Sequence, residues 1–145
     1  MNQKIIALLE DNDVCVLATV AGTAPHCSLM SYAAAEDGRE IYMVTHKNTK
    51  KFRNMEKNPG ISLLIDSRET DRGDKRYKAK ALTVTGTYEK VKDEPKKEEI
   101  SRRLLDRHPH LKDFIADPQA QFILVRVNAF QLLEGIADAY FEEVN

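Results

Sequence analysis

Three β-type runs near the start of this chain are joined by connections too short to contain a helix. The runs cover residues 14–20, 26–35 and 40–45, and the turn signals between them cover residues 21–25 and 36–39. Connections of this length permit antiparallel pairing, whereas a parallel crossover needs a dozen or more residues. The first third of the chain is therefore expected to form an antiparallel sheet.

Three further strands are predicted at residues 61–66, 77–91 and 122–133. Gly86 lies in the middle of the second of these, where a glycine indicates a bulge or a close backbone approach. Six strands with half-polar faces favour a small barrel, because closure of the sheet removes exposed edges. The predicted fold is therefore mainly β, a six-stranded antiparallel barrel.

Helices are predicted at residues 2–11, 95–108 and 111–116, and a charged stretch at 67–75 is expected to be an exposed loop. The 145 residues, 42% of them hydrophobic, suit one domain that covers residues 1–145. No composition shift or repeat divides the chain.

Charge and hydropathy argue against two classes of partner. The net charge is −1, so no basic balance predicts a nucleic-acid partner. The apolar run at residues 5–9 is too short for a membrane span, so a cytoplasmic protein is expected. Cys15 and Cys27 would not face each other in a hairpin, and no Cys/His spacing predicts a metal site. Both are expected to be buried free thiols.

The unusual helix of the chain follows the third strand. Asn48 or Thr49 can cap its N-terminus, and Pro59 ends it. Lys50 and Lys51 then lie in the first turn, where the helix dipole already presents partial positive charge and acidic residues are normally preferred. A bound phosphate would offset this placement, because free N–H groups and two ammonium groups would converge on it. The alternative is a solvent-exposed lysine cluster.

Other candidate residues have simpler interpretations. His108 and His110 flank Pro109 at a helix end, which is typical of capping or solvent contact. Tyrosines at four strand positions are expected to be core or sheet-surface residues (Tyr32, Tyr42, Tyr77 and Tyr88). No nucleotide loop, nucleophile elbow or metalloprotease motif is present.

Several segments in order resemble a known family. These are residues 16–20, 25–30, 41–45, 49–55 with Asn58-Pro59, and 84–88. Together they resemble the FMN-binding split β-barrel proteins related to pyridoxamine 5′-phosphate oxidase. Residues 107–118 and the strand leading to Glu134-Gly135 are similar to the haem-utilisation subgroup of that family.

The resemblance implies a six-stranded, Greek-key split barrel that forms a homodimer, with FMN bound at the subunit interface. It implies that one strand lines the flavin, that the end of another lies beside the ribityl phosphate, and that a helix start holds the phosphate. The partner subunit would add a short segment of a later strand. The corresponding cofactor residues are His26, Ser28, Leu29 and Met30; Thr45 and His46; Thr49, Lys50 and Lys51; and Ala81, Leu82 and Thr83.

Two features of the vitamin B6 oxidases are missing, so that substrate is not favoured. Ala81 stands where those oxidases have a glutamine, and residues 132–140 contain no arginine. The expected activity is flavin-dependent oxidoreduction of an undefined substrate, with no identified catalytic residue beyond the candidates His26 and Tyr32. The alternatives are haem binding, with His108 or His110 as axial ligand, a flavin-binding stress or storage module without turnover, and a deazaflavin in place of FMN.

Overall fold

The computed structural model describes all 145 residues. Its elements, in chain order, are α1 (Gln3–Asp11), β1 (Val14–Ala21), β2 (Ala24–Ser31), β3 (Ala33–Ala34), β4 (Glu40–His46), α2 (Lys50–Lys57), β5 (Gly60–Asp66), a 3-10 helix (Gly73–Lys78), β6 (Lys80–Glu89), α3 (Glu94–Arg107), a 3-10 helix (Pro109–Leu111), α4 (Lys112–Ala116), β7 (Ala120–Glu134) and β8 (Asp138–Glu143). All predicted helices are present, and each predicted strand has a counterpart.

The strands form one antiparallel sheet that curls back on itself. Its strand order is β2-β1-β5-β6-β7-β4-β3, and β8 pairs with the far part of β7. The two ends of this order, β2 and β3, are separated in sequence by Tyr32 alone. The sheet must therefore bend until its ends meet, which gives the split barrel predicted from the sequence.

The connectivity confirms the Greek-key expectation. Strands β5, β6 and β7 are consecutive antiparallel neighbours, and β4, which precedes them in the chain, lies beside β7. Both features predicted for Gly86, a bulge and a close backbone approach, are confirmed. The bulge is seen in the β6–β7 register, which shifts between Thr85 and Gly86. A Cβ atom at Gly86 would lie 2.5 Å from Val125 Cγ1 and 2.8 Å from the Arg126 carbonyl oxygen. Only glycine fits this approach of two backbones.

Two apolar clusters hold the domain together. The larger one fills the barrel with side chains from the strands, from α1, and from Phe52 and Met55 of α2. The smaller one lies between the sheet and α3, where Ile100 and Leu104 pack against Tyr42. Strand β4 contributes to both clusters because both of its faces are covered, which explains its continuous apolar sequence.

Several predicted boundaries were wrong. The run at residues 26–35 divides at Tyr32 into β2 and β3, and the strand predicted at 77–91 is shorter, since Tyr77 lies in a 3-10 helix and is 69% exposed. That helix also replaces the end of the predicted loop. Strand β8 was not predicted either, so this strand and the division into β2 and β3 give eight strands rather than six.

The cysteines are free, as predicted, but only one is buried. Cys15 faces the core, where burial raises the pKa of its thiol to about 12. Cys27 is exposed, contrary to the prediction. The cause is the pairing of β1 with β2. Cys27 lies opposite Ala18, whereas the turn predicted at residues 21–25 would place it opposite Thr19. A shift of one residue exchanges the faces of a strand.

A charged network attaches α3 to the sheet. Lys96 Nζ donates hydrogen bonds to Glu40 Oε1 at 2.6 Å and to Glu99 Oε2 at 3.1 Å. Tyr42 Oη donates to Glu40 at 2.6 Å, and Arg126 lies 3.3 Å from Glu40 Oε2. Burial of Glu40 favours the neutral acid, but these hydrogen bonds and cations outweigh it and lower the pKa of Glu40.

Glu40→Gln is expected to lower the free energy of unfolding at neutral pH by about 1 to 2 kcal/mol, because hydrogen bonds to a charged group are lost. The folded-state pKa lies below the usual 4.5, so this stability is present above pH 4.5 and disappears as the pH falls through the folded-state value. Urea unfolding at several pH values should therefore show the difference between variant and wild type closing in acid. Glu94→Gln is the control, since Glu94 forms an exposed pair with Lys97; an equal loss in both variants would contradict the assignment.

Candidate functional site

The start of α2 is organised by two threonines, Thr45 near the end of β4 and Thr49 just before the helix. Thr49 is the N-cap, and its hydroxyl accepts a hydrogen bond from the Phe52 N–H at 3.3 Å. The same hydroxyl donates to the His46 carbonyl at 2.9 Å, so the buried Thr45 hydroxyl, 3.2 Å away, acts as donor to it. Both hydroxyls are thus used to fix the turn from strand to helix. The two threonines therefore position the site, and an anion bound there would be held by other groups.

The two lysines confirm the arrangement expected from sequence. Lys50 and Lys51 are the first two residues of α2, and no acidic residue lies in its first turn. Neither lysine takes part in any ion pair of the structure. Lys50 is exposed, whereas partial burial of Lys51 lowers the pKa of its ammonium group. The backbone N–H groups at this end have no partner within the helix. The result is concentrated positive potential without a counter-charge.

Helix α2 is held rigidly against β1 and β2. Phe52 and Met55 are buried in the barrel core, and the Phe52 ring packs edge-on against Tyr88 with 6.3 Å between centroids. On the same side the buried Asn54 amide donates a hydrogen bond to Thr19 Oγ1 of β1 at 3.2 Å. Because the helix is anchored in this way, the two lysines are presented at a defined place beside the sheet.

Strand β2 supplies a second set of polar groups to this place. It is the end strand of the sheet and pairs only with β1, so backbone N–H and C=O groups along its other edge point away from the ladder. His26 and Ser28 are half-buried, Leu29 is 76% exposed, and Met30 faces the core. The strand packs near both α2 and β4. The elements that carry three of the four predicted groups of site residues are thus neighbours in the fold.

The fourth group, residues 81–83 of β6, lies elsewhere on the sheet. Ala81 and Thr83 face outward, opposite Asp66 and Leu64 of β5. Leu82 is 0% exposed, so its side chain belongs to the core and only its backbone could contact a ligand. Residues 81–83 therefore lie apart from the other three groups within one chain.

An outer face with several exposed apolar side chains, which sequence reasoning missed, runs across six strands. A single row of paired residues crosses the sheet in the order Leu29, Val16, Leu64, Thr83, Gln131 and Phe141. Leu29 and Phe141 are 76% and 62% exposed, and Leu133 in the next row is 41% exposed. The sequence signal for this face was the continuous apolar run at residues 14–18, because a strand with one solvated face would alternate apolar and polar residues.

The histidines have different environments. His46 is half-buried, with Nε2 3.8 Å from Asp117 Oδ2 and its ring packed edge-on against Phe114. His108, expected to cap a helix or meet solvent, is the C-cap of α3, but it is only 3% exposed, and its Nε2 lies 2.8 Å from the Tyr32 carbonyl oxygen. His110 is exposed. Of the two proposed axial ligands, only His110 presents its ring to the surface.

Tyr32 is a structural residue and not a proton-transfer group. It is 0% exposed, and its hydroxyl donates to the Leu9 carbonyl at 2.8 Å. Burial raises the pKa of the phenol above its usual value. The candidate role of Tyr32 as an acid or base is therefore wrong, and His26 on the β2 edge remains the only such candidate.

The fold and the match to a family model agree on the class of this chain. Residues 1–134 match the model described as pyridoxamine 5′-phosphate oxidase. The chain belongs to the pyridoxamine 5′-phosphate oxidase family. No helix in the structure has both the length and the apolar character needed to cross a membrane.

The proteins to which this chain is similar are named for different ligands or roles. General stress protein 26 from Bacillus subtilis (strain 168) is 35% identical over 65 residues, which are 45% of this chain and 45% of that protein. The heme binding protein from Mycobacterium smegmatis superposes with a TM-score of 0.85 at 17% identity over 97% of this chain, and this chain spans only 56% of that structure. An FAD-binding protein from Mesorhizobium loti gives a TM-score of 0.74 at 18% identity, covering 94% and 96% of the two chains. At these identities the structural likenesses establish the fold alone.

Proposed function

We propose that this chain is a homodimeric FMN-binding protein that acts as a flavin-dependent oxidoreductase. The observation that carries the proposal is the pair Lys50 and Lys51 at the start of α2, with no acidic partner, beside the free edge of β2. A terminal phosphate would be held by the two ammonium groups and the unpaired N–H groups of the helix. The FAD-binding neighbour from Mesorhizobium loti adds support for a flavin on this fold.

The residues of the chain suit the rest of that cofactor. The β2 edge offers backbone donors and acceptors to a flat polar ring system, and Leu29 offers an exposed apolar surface beside them. When bound, the flavin would supply hydride or electron transfer. The protein would orient it, anchor its phosphate and exclude water from one side. Ala81 contributes no polar side-chain group.

The outer face supports dimer formation. Exposed apolar side chains that share one face, here Leu29, Leu64, Leu133 and Phe141, are typical of an association site. Burial of the β6–β8 part of this face, which includes Thr83, Leu133 and Phe141, against a second copy would bring Ala81 to Thr83 of one subunit toward the α2 and β2 site of the other. One interface would thereby complete two equivalent clefts, as two-fold symmetry requires.

Leu133→Arg is expected to weaken the dimer at least about tenfold, because the substitution places an unpaired charge in a buried interface. Sedimentation equilibrium measures the effect. Ile136→Arg is the matched control: Ile136 is 94% exposed but lies in the turn between β7 and β8, off the sheet face. A wild-type monomer at micromolar concentration, or equal effects of both substitutions, would contradict the interface.

The function is tested by the ligand that copurifies with the protein and by its reduction. A yellow preparation with flavin absorbance, reduced by NADH or NADPH and reoxidised by an acceptor, is the expected result. Bound flavin that no donor reduces would indicate a stress or storage module. Stronger binding of a deazaflavin phosphate than of FMN would indicate that the cofactor is a deazaflavin. A Soret band would instead favour haem, as in the Mycobacterium smegmatis neighbour, with His110 as the available ligand.

A further inference from the structure

A cavity of about 450 Å³ opens on the outer face between β1, β2 and β5. Its apolar floor consists of Val14, Val16, Leu29 and Leu64. This volume lies within the range of about 300 to 1,000 Å³ that small-molecule sites occupy. It adjoins the predicted flavin strand through Leu29, but it contains neither Lys50 nor Lys51.

Arginines from the segment between β5 and β6 form the rim. Arg68 is used internally, since its guanidinium makes a bidentate pair with Asp66 at 2.7 to 3.0 Å. Arg72 and Arg76 are exposed and take part in no ion pair. Both arginines line the cavity. The charge of Arg76 is also among the causes that lower the pKa of Asp66, another lining residue. With Asp66 neutralised by Arg68, the remaining charges are Arg72, Arg76 and the single carboxylate of Glu69.

The combination distinguishes this cavity from the others. A larger one of about 650 Å³ between α1 and the same segment is lined by mostly polar side chains such as Lys4 and Asp71. A cavity of about 480 Å³ near α3 contains the paired residues Glu40 and Lys96. Of these three cavities, only the one on the outer face joins an apolar floor to two guanidinium groups that have no ion-pair partner. Arginine binds carboxylate and phosphate through paired N–H donors.

We propose that this cavity binds a small organic anion, with a flat apolar body packed on Val16, Leu29 and Leu64 and a carboxylate or phosphate held by Arg72 and Arg76. Its place as the substrate cleft beside the flavin rests on the proposed function, whereas anion binding in the cavity does not. The floor selects an aromatic or similarly flat body, and the rim requires one terminal oxyanion.

The test is a fluorescence titration of the full-length protein with 8-anilinonaphthalene-1-sulfonate, which has both parts of this chemistry. Arg72→Ala/Arg76→Ala is expected to weaken probe binding about tenfold or more, the loss of charge-assisted hydrogen bonds. Lys75→Ala/Lys78→Ala is the matched control, because these cations belong to the 3-10 helix that contains Arg76 but do not line the cavity. Unchanged binding in the arginine variant, or equal weakening in both variants, would overturn the proposal.

Displacement of the probe identifies the head group. 1-Naphthoate or 1-naphthyl phosphate should displace it, and the stronger competitor shows whether carboxylate or phosphate is preferred. Equal displacement by neutral 1-naphthalenemethanol would overturn the role of the arginines. FMN titrations separate this inference from the proposed function. Lys51→Ala should weaken FMN binding and leave probe binding unchanged, whereas Arg72→Ala/Arg76→Ala should weaken probe binding and leave FMN binding unchanged. If the wild-type protein binds no FMN, the proposed function is contradicted, but the probe titration still tests anion binding in the cavity.

Discussion

Lys50→Ala/Lys51→Ala is expected to weaken FMN binding by about 3 kcal/mol or more, that is, at least about a hundredfold. Each hydrogen bond to a charged group contributes roughly 1.5 to 3 kcal/mol, and the double variant removes both ammonium groups that converge at the α2 start. The single variant Lys51→Ala should cost about 1.5 to 3 kcal/mol. Quenching of flavin fluorescence in a titration of purified apoprotein measures both values.

The matched control lies on the same helix. Lys57→Ala removes an exposed lysine from the last turn of α2, so it changes the net charge by the same amount as either single substitution without touching the predicted site. FMN affinity should be unaffected by it. Because lysines are unfavourable in a first turn, the double variant should unfold no more easily than wild type when no ligand is present. Undiminished FMN affinity in the double variant would remove the phosphate assignment.

The parts of this fold that depend on local signals could be predicted from sequence. The antiparallel sheet followed from short turns, and the special role of Gly86 followed from a glycine inside a strand pattern. The cap of α2 was narrowed to Asn48 or Thr49 by their side-chain oxygens, and the structure uses Thr49. In each case one residue or one connection length restricts the backbone to few conformations. The roles of the cofactor residues came from a family resemblance and remain predictions.

The missed features depend on contacts between distant segments. The β1–β2 turn has only two residues, since Ala21 pairs with Ala24, and the longer turn assumed from sequence displaced the register by one. That error reversed the exposure of Cys27. Strand β8 exists because β7 extends beyond β4 and leaves an unpaired edge, which no pattern in residues 138–143 reveals. The cavity likewise lies between β1, β2, β5 and a loop. In the sequence, nothing distinguishes its arginines from ordinary surface charges.

Gly86→Val is expected to lower the free energy of unfolding by about 3 kcal/mol, the upper part of the usual range for overpacking a core. Even the Cβ atom would approach Val125 Cγ1 to 2.5 Å and the Arg126 carbonyl oxygen to 2.8 Å. One of these neighbours is backbone, so a change of rotamer cannot relieve the contact. Equilibrium unfolding in urea, with comparison of midpoints at constant slope, measures the loss.

Gly60→Val is the control, because Gly60 also lies on a strand of the same sheet but is exposed. A Cβ atom there would meet only the flexible Asn58 side chain at 3.3 Å, so the change in stability should stay within about 1 kcal/mol. Gly86→Ala/Val125→Ala separates the two contacts at Gly86. Removing the Val125 methyl groups relieves the side-chain clash but not the backbone one, so the double variant should be more stable than the sum of the single losses implies. Strict additivity would mean that the Arg126 backbone alone requires glycine at the bulge.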